Sequence, residues 1–179
     1  MATARWTPDE LLARLAELGV ETETLNHPPA PTCDEHALYV GHLGAGQAKQ
    51  LFLRGSGGEF FLVSCLVDTE VNLKQLSTRL GFKASKPLRL SSYEVMSEQL
   101  GVLPGSVTPF ALVNAGPGVR LLLDARFKAQ QKLLFHPLTN ERTTVISCAG
   151  LVVFLTSLGR TVEWVDFSDA SPLQRTEHT

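Results

Sequence analysis

The chain has 179 residues, 44% of them hydrophobic and 19% charged, with 16 basic and 18 acidic side chains and a formal net charge of −2. That length fits one domain and that apolar content excludes a disordered chain, while the charge excludes a histone-like, non-specific nucleic-acid binder. No apolar run is long enough to span a bilayer and the N-terminal residues MATARWTPDE show no secretory h-region, so a cytoplasmic, membrane-free protein is expected.

The elements are well punctuated. Thr7-Pro8-Asp9-Glu10 is a capping box with proline at the first helical position, and Leu11, Leu12, Leu15 and Leu18 follow at helical spacing up to Gly19. Glu21 to Leu25 reads as a short strand, and Asn26 to Pro31 is a proline-rich connection. Thr32-x-x-Glu35 is a second capping box that opens a helix to about Val40, before a loop at Gly41, Gly44 and Gly46. Lys49–Arg54 and Phe60–Cys65 are expected to form a hairpin across Gly55–Gly58. Asp68 is expected to cap a helix with Val71, Leu76 and Leu80, and Ser91-x-x-Glu94 another that ends at Gly101. Pro109–Asn114 and Val119–Asp124 read as a second hairpin, and Leu133–Phe135 and Thr143–Ser147 as two short strands. Ser147 caps a helix to Leu158, Thr161–Phe167 is a last strand, and residues 168–179 form a polar tail after a domain of residues 1–167. The fold class is α+β: one domain with a mixed, mostly antiparallel sheet flanked by helices.

Several chemistries are missing. Gly41-x4-Gly46 is followed by Gln47-Ala48 and a strand, so it is no phosphate loop. There is no GxSxG elbow and no HExxH. Cys33, Cys65 and Cys148 are too far apart for a CxxC motif. His27, His36 and His42 are close in sequence but fall on different local elements, and read as surface or turn histidines; no metal and no cofactor are expected. Cys33, at a helix start, reads as a small packed hydrophobe.

Four features stand above this background. Lys49 opens the apolar strand Lys49-Gln50-Leu51-Phe52-Leu53, where it either points to solvent or sets an ammonium at a pocket mouth. Gly105-Ser106-Val107-Thr108-Pro109 is either a plain turn or an irregular loop with backbone N–H groups left to bind a ligand. Phe135-His136-Pro137-Leu138-Thr139-Asn140, with Thr143 and Thr144, is a polar cluster between apolar strands. Lys74 to Arg89 carries Lys74, Arg79, Lys83, Lys86 and Arg89 with no acidic residue, which makes it a solvated face or a stripe for a phosphate backbone.

Together with His27-Pro28-Pro29 and Thr32, these features occur in the order and spacing of a known group, over about residues 8–167. The chain resembles the free-standing aminoacyl-tRNA editing proteins related to the inserted editing domain of bacterial prolyl-tRNA synthetase, with a YbaK-like fold, and is most similar to the Ala-tRNA(Pro) deacylase branch. It departs from that pattern at Gln50, where asparagine is usual, at Gly55, where an acidic residue is usual, and in its glycine-rich loop before Lys49.

The resemblance implies hydrolysis of an aminoacyl ester at a tRNA 3′ end, with Lys49, Gly105 and His136 at the catalytic centre. Ser106, Val107, Thr108, Pro109, Asn140, Thr143, His27 and Thr32 would bind substrate, and Lys74, Arg79, Lys83, Lys86 and Arg89 would hold tRNA. The implied partners are the acceptor end of tRNA(Pro) and prolyl-tRNA synthetase. The chemistry is coherent. A pocket sized for proline cannot exclude alanine: two fewer carbons, at ~0.8 kcal/mol each, give only about 15-fold discrimination, so a second, smaller sieve is needed. The ester is already activated, which fits the lack of a catalytic triad. Rival readings are a deacylase for Cys- or Ser-tRNA, an inactive tRNA- or synthetase-binding module, and a small amino-acid ester hydrolase.

Overall fold

The computed structural model describes residues 5–30, 32–171 and 173. In chain order the elements are α1 (Pro8–Glu17), β1 (Thr22–Asn26), α2 (Cys33–Val40), β2 (Gly46–Arg54), β3 (Phe60–Leu66), α3 (Leu73–Arg79), β4 (Arg89–Leu90), α4 (Tyr93–Leu100), β5 (Val119–Asp124), β6 (Leu133–Phe135), β7 (Arg142–Ile146), α5 (Cys148–Ser157) and β8 (Val162–Val165). The sheet order is β1-β7-β6-β2-β3-β5-β8, with β4 also paired to β2. β2 runs antiparallel to β3 and β4, β6 to β7, and β1 to β7. β2–β6, β3–β5 and β5–β8 are parallel, so the sheet is mixed with an antiparallel majority.

The central strands show why both faces must be covered. β3 (FFLVSCL) and β5 (VRLLLD) are apolar at nearly every position, the pattern of strands buried on both sides. Alternate residues serve different layers. Phe52, Leu62, Leu121 and Leu123 pack with Leu11 and Leu15 of α1, Leu100 of α4 and Leu151, Phe154 and Leu155 of α5. Leu53, Phe61, Val63 and Leu122 face the other way, onto Leu76 and Leu80 at α3. Among the described residues no helix is long and apolar enough to cross a membrane.

The local signals act as read at most helix ends. Thr7 and Thr32 each complete a reciprocal capping box with the glutamate three residues on. Ser147 caps α5 by accepting from the Gly150 amide. The β2–β3 hairpin closes through Gly55–Gly58, with Gly58 at φ +90°. Gly55 has no room for a side chain, since a Cβ there would come within 2.8 Å of the Phe82 ring.

Four expectations change. Pro109–Val113 is a 3-10 turn rather than a strand; Thr108 caps it by accepting from the Phe110 amide, and β5 pairs in parallel with β3 instead of closing a hairpin. Asn72, not Asp68, caps α3, because the Asp68 carboxylate is engaged by the Arg126 guanidinium. Ser92, not Ser91, caps α4. The glycine loop is half ordered: Gly41–Leu43 form a 3-10 turn and β2 already starts at Gly46.

Candidate active site

β2, α2 and two loops enclose a cavity of about 120 Å³ lined by Ala30, Thr32, Cys33, His36, Ala48, Lys49, Gln50, Gly105, Val107, Leu134, Phe135 and His136. Each wall has a local cause. Lys49 projects from β2, which is held between β3 and β6. Its Nζ donates to the Val67 carbonyl at 3.0 Å, which leaves two ammonium donors for a ligand. The neighbouring Gln50 Oε1 is buried with no hydrogen-bond partner among the described residues. Gly105 turns the opposite wall at φ +83°, a left-handed conformation that costs other residues roughly 1–2 kcal/mol. The loop it starts is anchored by Phe110, fully buried and edge-on to both Phe135 and Phe154.

The expected free amides of that loop are partly available. The Ser106 N–H is spent on the Leu103 carbonyl, but those of Gly105, Val107 and Thr108 have no partner among the described residues. Gly105 and Val107 line the cavity, whereas Ser106, Thr108 and Pro109 are buried scaffold beneath it. Thr32 lines the cavity, but its hydroxyl is used in the capping box with Glu35.

Three histidine rings meet behind this wall. His27 follows β1, His36 sits on α2 and His136 follows β6; one ring nitrogen of each lies within 4.8 Å of the others. The expectation of surface or turn histidines is therefore corrected for His36, which is 6% exposed, and His27 is joined by His136 rather than His42. Thr143, fully buried on β7, sits between two of them, with Oγ1 2.7 Å from His27 Nε2 and 2.6 Å from His36 Nε2. His27 Nδ1 donates to the Pro28 carbonyl, so its Nε2 accepts from Thr143, and Thr143 in turn accepts from His36. His136 Nδ1 donates to the Arg142 carbonyl, which makes Nε2 an acceptor. Burial, reinforced by His136 and His27, pushes the His36 ring down to about 4, and burial also lowers His136. His27 stacks on Tyr39 at 5.3 Å. Asn140 acts through its backbone, where its carbonyl accepts from the Ala30 amide and ties the two loops together. Thr144 bonds Thr24 across β1 and β7.

Residues 27–154 match the aminoacyl-tRNA editing domain family. The chain belongs to that family. Prolyl-tRNA synthetase associated domain-containing protein 1 of Xenopus laevis is 37% identical over 153 residues, which cover 84% of this chain and 90% of the relative. The Mus musculus protein of the same name is 33% identical over 153 residues, with the same coverage. A crystal structure described as a proposed trans-editing enzyme for prolyl tRNA synthetase shares the fold at a TM-score of 0.66 and 19% identity, over 91% of this chain and 98% of that one.

In this editing domain the basic stretch divides. Arg79 is 7% exposed and is not a tRNA contact: its guanidinium donates to the carbonyls of Asp166 and Ser171, while the Leu173 amide donates back to the Arg79 carbonyl. It therefore fastens the start of the polar C-terminal segment, whose residues 174–179 lie outside the described residues. Lys74, Lys83, Lys86 and Arg89 are exposed. Lys86 and Arg89 line a groove with Arg54, Ser91 and Ser92; Lys83 and Lys86 line an adjoining one with Arg120. Arg54 and Lys49 are the two ends of one strand stretch, so the grooves lie roughly 17 Å from the cavity at about 3.3 Å per residue.

The sequence reading missed His36, Cys33, Gln50 and the small apolar lining of Ala30, Ala48 and Leu134. His36 and Cys33 carried weak signals, as one of three nearby histidines and as a thiol at a helix start, and Gln50 stood beside Lys49 in its strand; Cys33 is exposed on the cavity wall rather than packed as a small hydrophobe.

Proposed function

We propose that this editing domain is a trans-acting deacylase that hydrolyses mischarged Ala-tRNA(Pro) in the cytoplasm. The observation that carries the reading is the small cavity, where an ammonium, unpaired amides and a histidine acceptor converge on apolar walls. On this reading an alanyl methyl group packs against the lining residues Ala30, Ala48 and Val107, and the same wall turns away a pyrrolidine ring. A sieve of this kind rejects the larger, correct substrate by steric clash, which discriminates far better than the gain from one added methylene.

In the reaction, water attacks the ester carbonyl carbon and the C–O bond to the terminal ribose breaks, releasing alanine and a free tRNA 3′ hydroxyl. The amides of Gly105 and Val107 and the Lys49 ammonium are the donors for the oxyanion that forms on the carbonyl oxygen. Gln50 Oε1 and His136 Nε2 are acceptors placed for the substrate ammonium or the ribose hydroxyls. The vicinal tRNA 2′-hydroxyl positions the water, so no protein nucleophile is required. Asn140 and Thr143 hold the histidine loop in place. Lys74, Lys83, Lys86 and Arg89 supply charge for the acceptor-stem phosphates. The names of the relatives favour tRNA(Pro) and prolyl-tRNA synthetase as partners.

The test is ester loss from Ala-tRNA(Pro), Pro-tRNA(Pro), Cys-tRNA(Pro) and Ala-tRNA(Ala). Rapid loss of the first alone supports the proposal. Loss of Cys-tRNA(Pro) in preference gives the neighbouring specificity, and loss of none leaves a binding module.

A further inference from the structure

The three-histidine cluster has a second chemistry that ester hydrolysis does not use. We propose that His27, His36 and His136 bind a divalent transition-metal ion of the zinc class, with its fourth coordination position open to the acyl cavity.

The donor set is three imidazoles. Among the described residues no carboxylate hydrogen-bonds to any of the rings: their polar partners are Thr143, Pro28 and Arg142, the last two through main-chain carbonyls. An all-nitrogen set of this kind selects zinc, cobalt, nickel or copper over magnesium and calcium, which need oxygen ligands. Three protein ligands and one open corner is the arrangement of a reactive rather than a closed structural site.

The rings are already oriented for it. His27 Nδ1 and His136 Nδ1 each donate to a backbone carbonyl, 2.8 Å away in both cases. That outer contact fixes the tautomer that turns the Nε2 lone pair inward, as it does around metal-bound histidines. The Nε2 atoms of His27 and His36 converge on a single point, now taken by the Thr143 hydroxyl. Ring centroids are 4.7 Å apart for His36 and His136, 5.8 Å for His27 and His36, and 6.1 Å for His27 and His136. Zinc–nitrogen bonds of about 2.0–2.1 Å put tetrahedral ligands about 3.4 Å apart, so the nitrogens must close in by roughly 1 Å. Rotation of the Thr143 hydroxyl away from the rings, with exchange of the His36 tautomer, permits this. The cavity side is open because His36 and His136 both line it. Lys49 on the same wall repels a cation, which weakens binding relative to a site without it.

A bound ion would occupy the place assigned above to the substrate ammonium or ribose, and would inhibit deacylation until a chelator removed it. The inhibition rests on the deacylase reading, whereas the binding does not.

The experiment uses the untagged full chain, stripped with chelator, and titrates Co2+ while following its visible ligand-field bands, then displaces it with Zn2+. One tetrahedral Co2+ per chain is expected. His36→Asn and His136→Gln should each weaken binding at least tenfold, and His42→Ala, in the exposed turn after α2, should leave it unchanged. Long-range 1H–15N spectra of the unmutated protein give a readout independent of whether those variants fold: Zn2+ should shift the ring nitrogens of His27, His36 and His136 together. No Co2+ bands, variants that bind as tightly as the parent, or ring shifts in fewer than all three histidines would overturn the site. A chain that binds metal but hydrolyses no aminoacyl-tRNA would refute the deacylase and leave the metal site standing.

Discussion

The two ends of β2 carry charge in opposite ways. Around Lys49 the side chains are tethered, Lys49 on Val67, His27 and His36 on Thr143 and His136 on Arg142, and the Gln50 oxygen and the Gly105 and Val107 amides are left over at fixed positions for a ligand. At the Arg54 end, Lys83, Lys86 and Arg89 stand in solvent around open grooves. Buried, mutually bonded groups hold geometry, and salt screens them little. Exposed cations act through a field that salt weakens. The difference divides the proposed labour: chemistry and size selection at one end, capture of a polyanion at the other.

That division can be broken at either end. The largest effect is expected from Lys49→Ala, a fall in kcat/KM of roughly 10²–10³ that is the same at low and high salt, measured in single-turnover deacylation. An activity near that of the parent would remove Lys49 from the chemistry. Arg79→Met should act on the fold alone. It strands the carbonyls of Asp166 and Ser171 and costs about 2–3 kcal/mol in urea unfolding, with kcat/KM unchanged in the folded fraction. A selective loss of tRNA affinity would instead return Arg79 to the binding face. The triple change of Lys83, Lys86 and Arg89 to serine should raise KM roughly tenfold with little change in kcat. It should also lower the slope of log affinity against log salt by roughly 2.7, at about 0.9 per lost contact to a duplex phosphate.

The smallest effect is on pH. In the metal-free chain the folded His36 ring titrates at about 4, whereas an unfolded histidine titrates at 6.5, so the unfolded chain takes the proton first as the pH falls. Stability is complete above about 6.5 and is lost down to about 4, with a Tm drop on the order of 5 °C over that window. The rings of His136 and His27, the Thr143 hydroxyl and Lys49 on the cavity wall are the groups around it, and His36→Gln should flatten the profile.

How much of this was readable before the fold depends on the range of each interaction. Thr7 and Thr32 were legible because a capping box is complete within four residues. Phe110 was not: a short apolar run such as PFALV has no period long enough to separate a strand from a 3-10 turn, and the Thr108 cap decides it. Asp68 looked like a cap until Arg126, from the turn after β5, took its carboxylate. Arg79 resembled its exposed neighbours because only its contacts with Asp166, Ser171 and Leu173, more than 80 positions away, show that it is buried. His36 was visible only as one of three histidines close in sequence and was read as a surface or turn residue, since the partner that defines it, Thr143, lies 107 positions away. Motif resemblance found the cavity through Lys49, Gly105 and His136, and the supporting network behind it is tertiary.

The β1–β7 pairing has a consequence for how the protein is made. Thr22 is registered with Ile146, and His27 reaches its threonine only through that pairing. A ribosome must therefore synthesise through β7 before the site can assemble. The early segments, β1 and α2, wait with their ladder edge and apolar side chains unmatched for most of translation. At about 5–20 residues per second, the gap from β1 to β7 is on the order of ten seconds, a window in which a nascent chain is silent toward tRNA and dependent on whatever shields it.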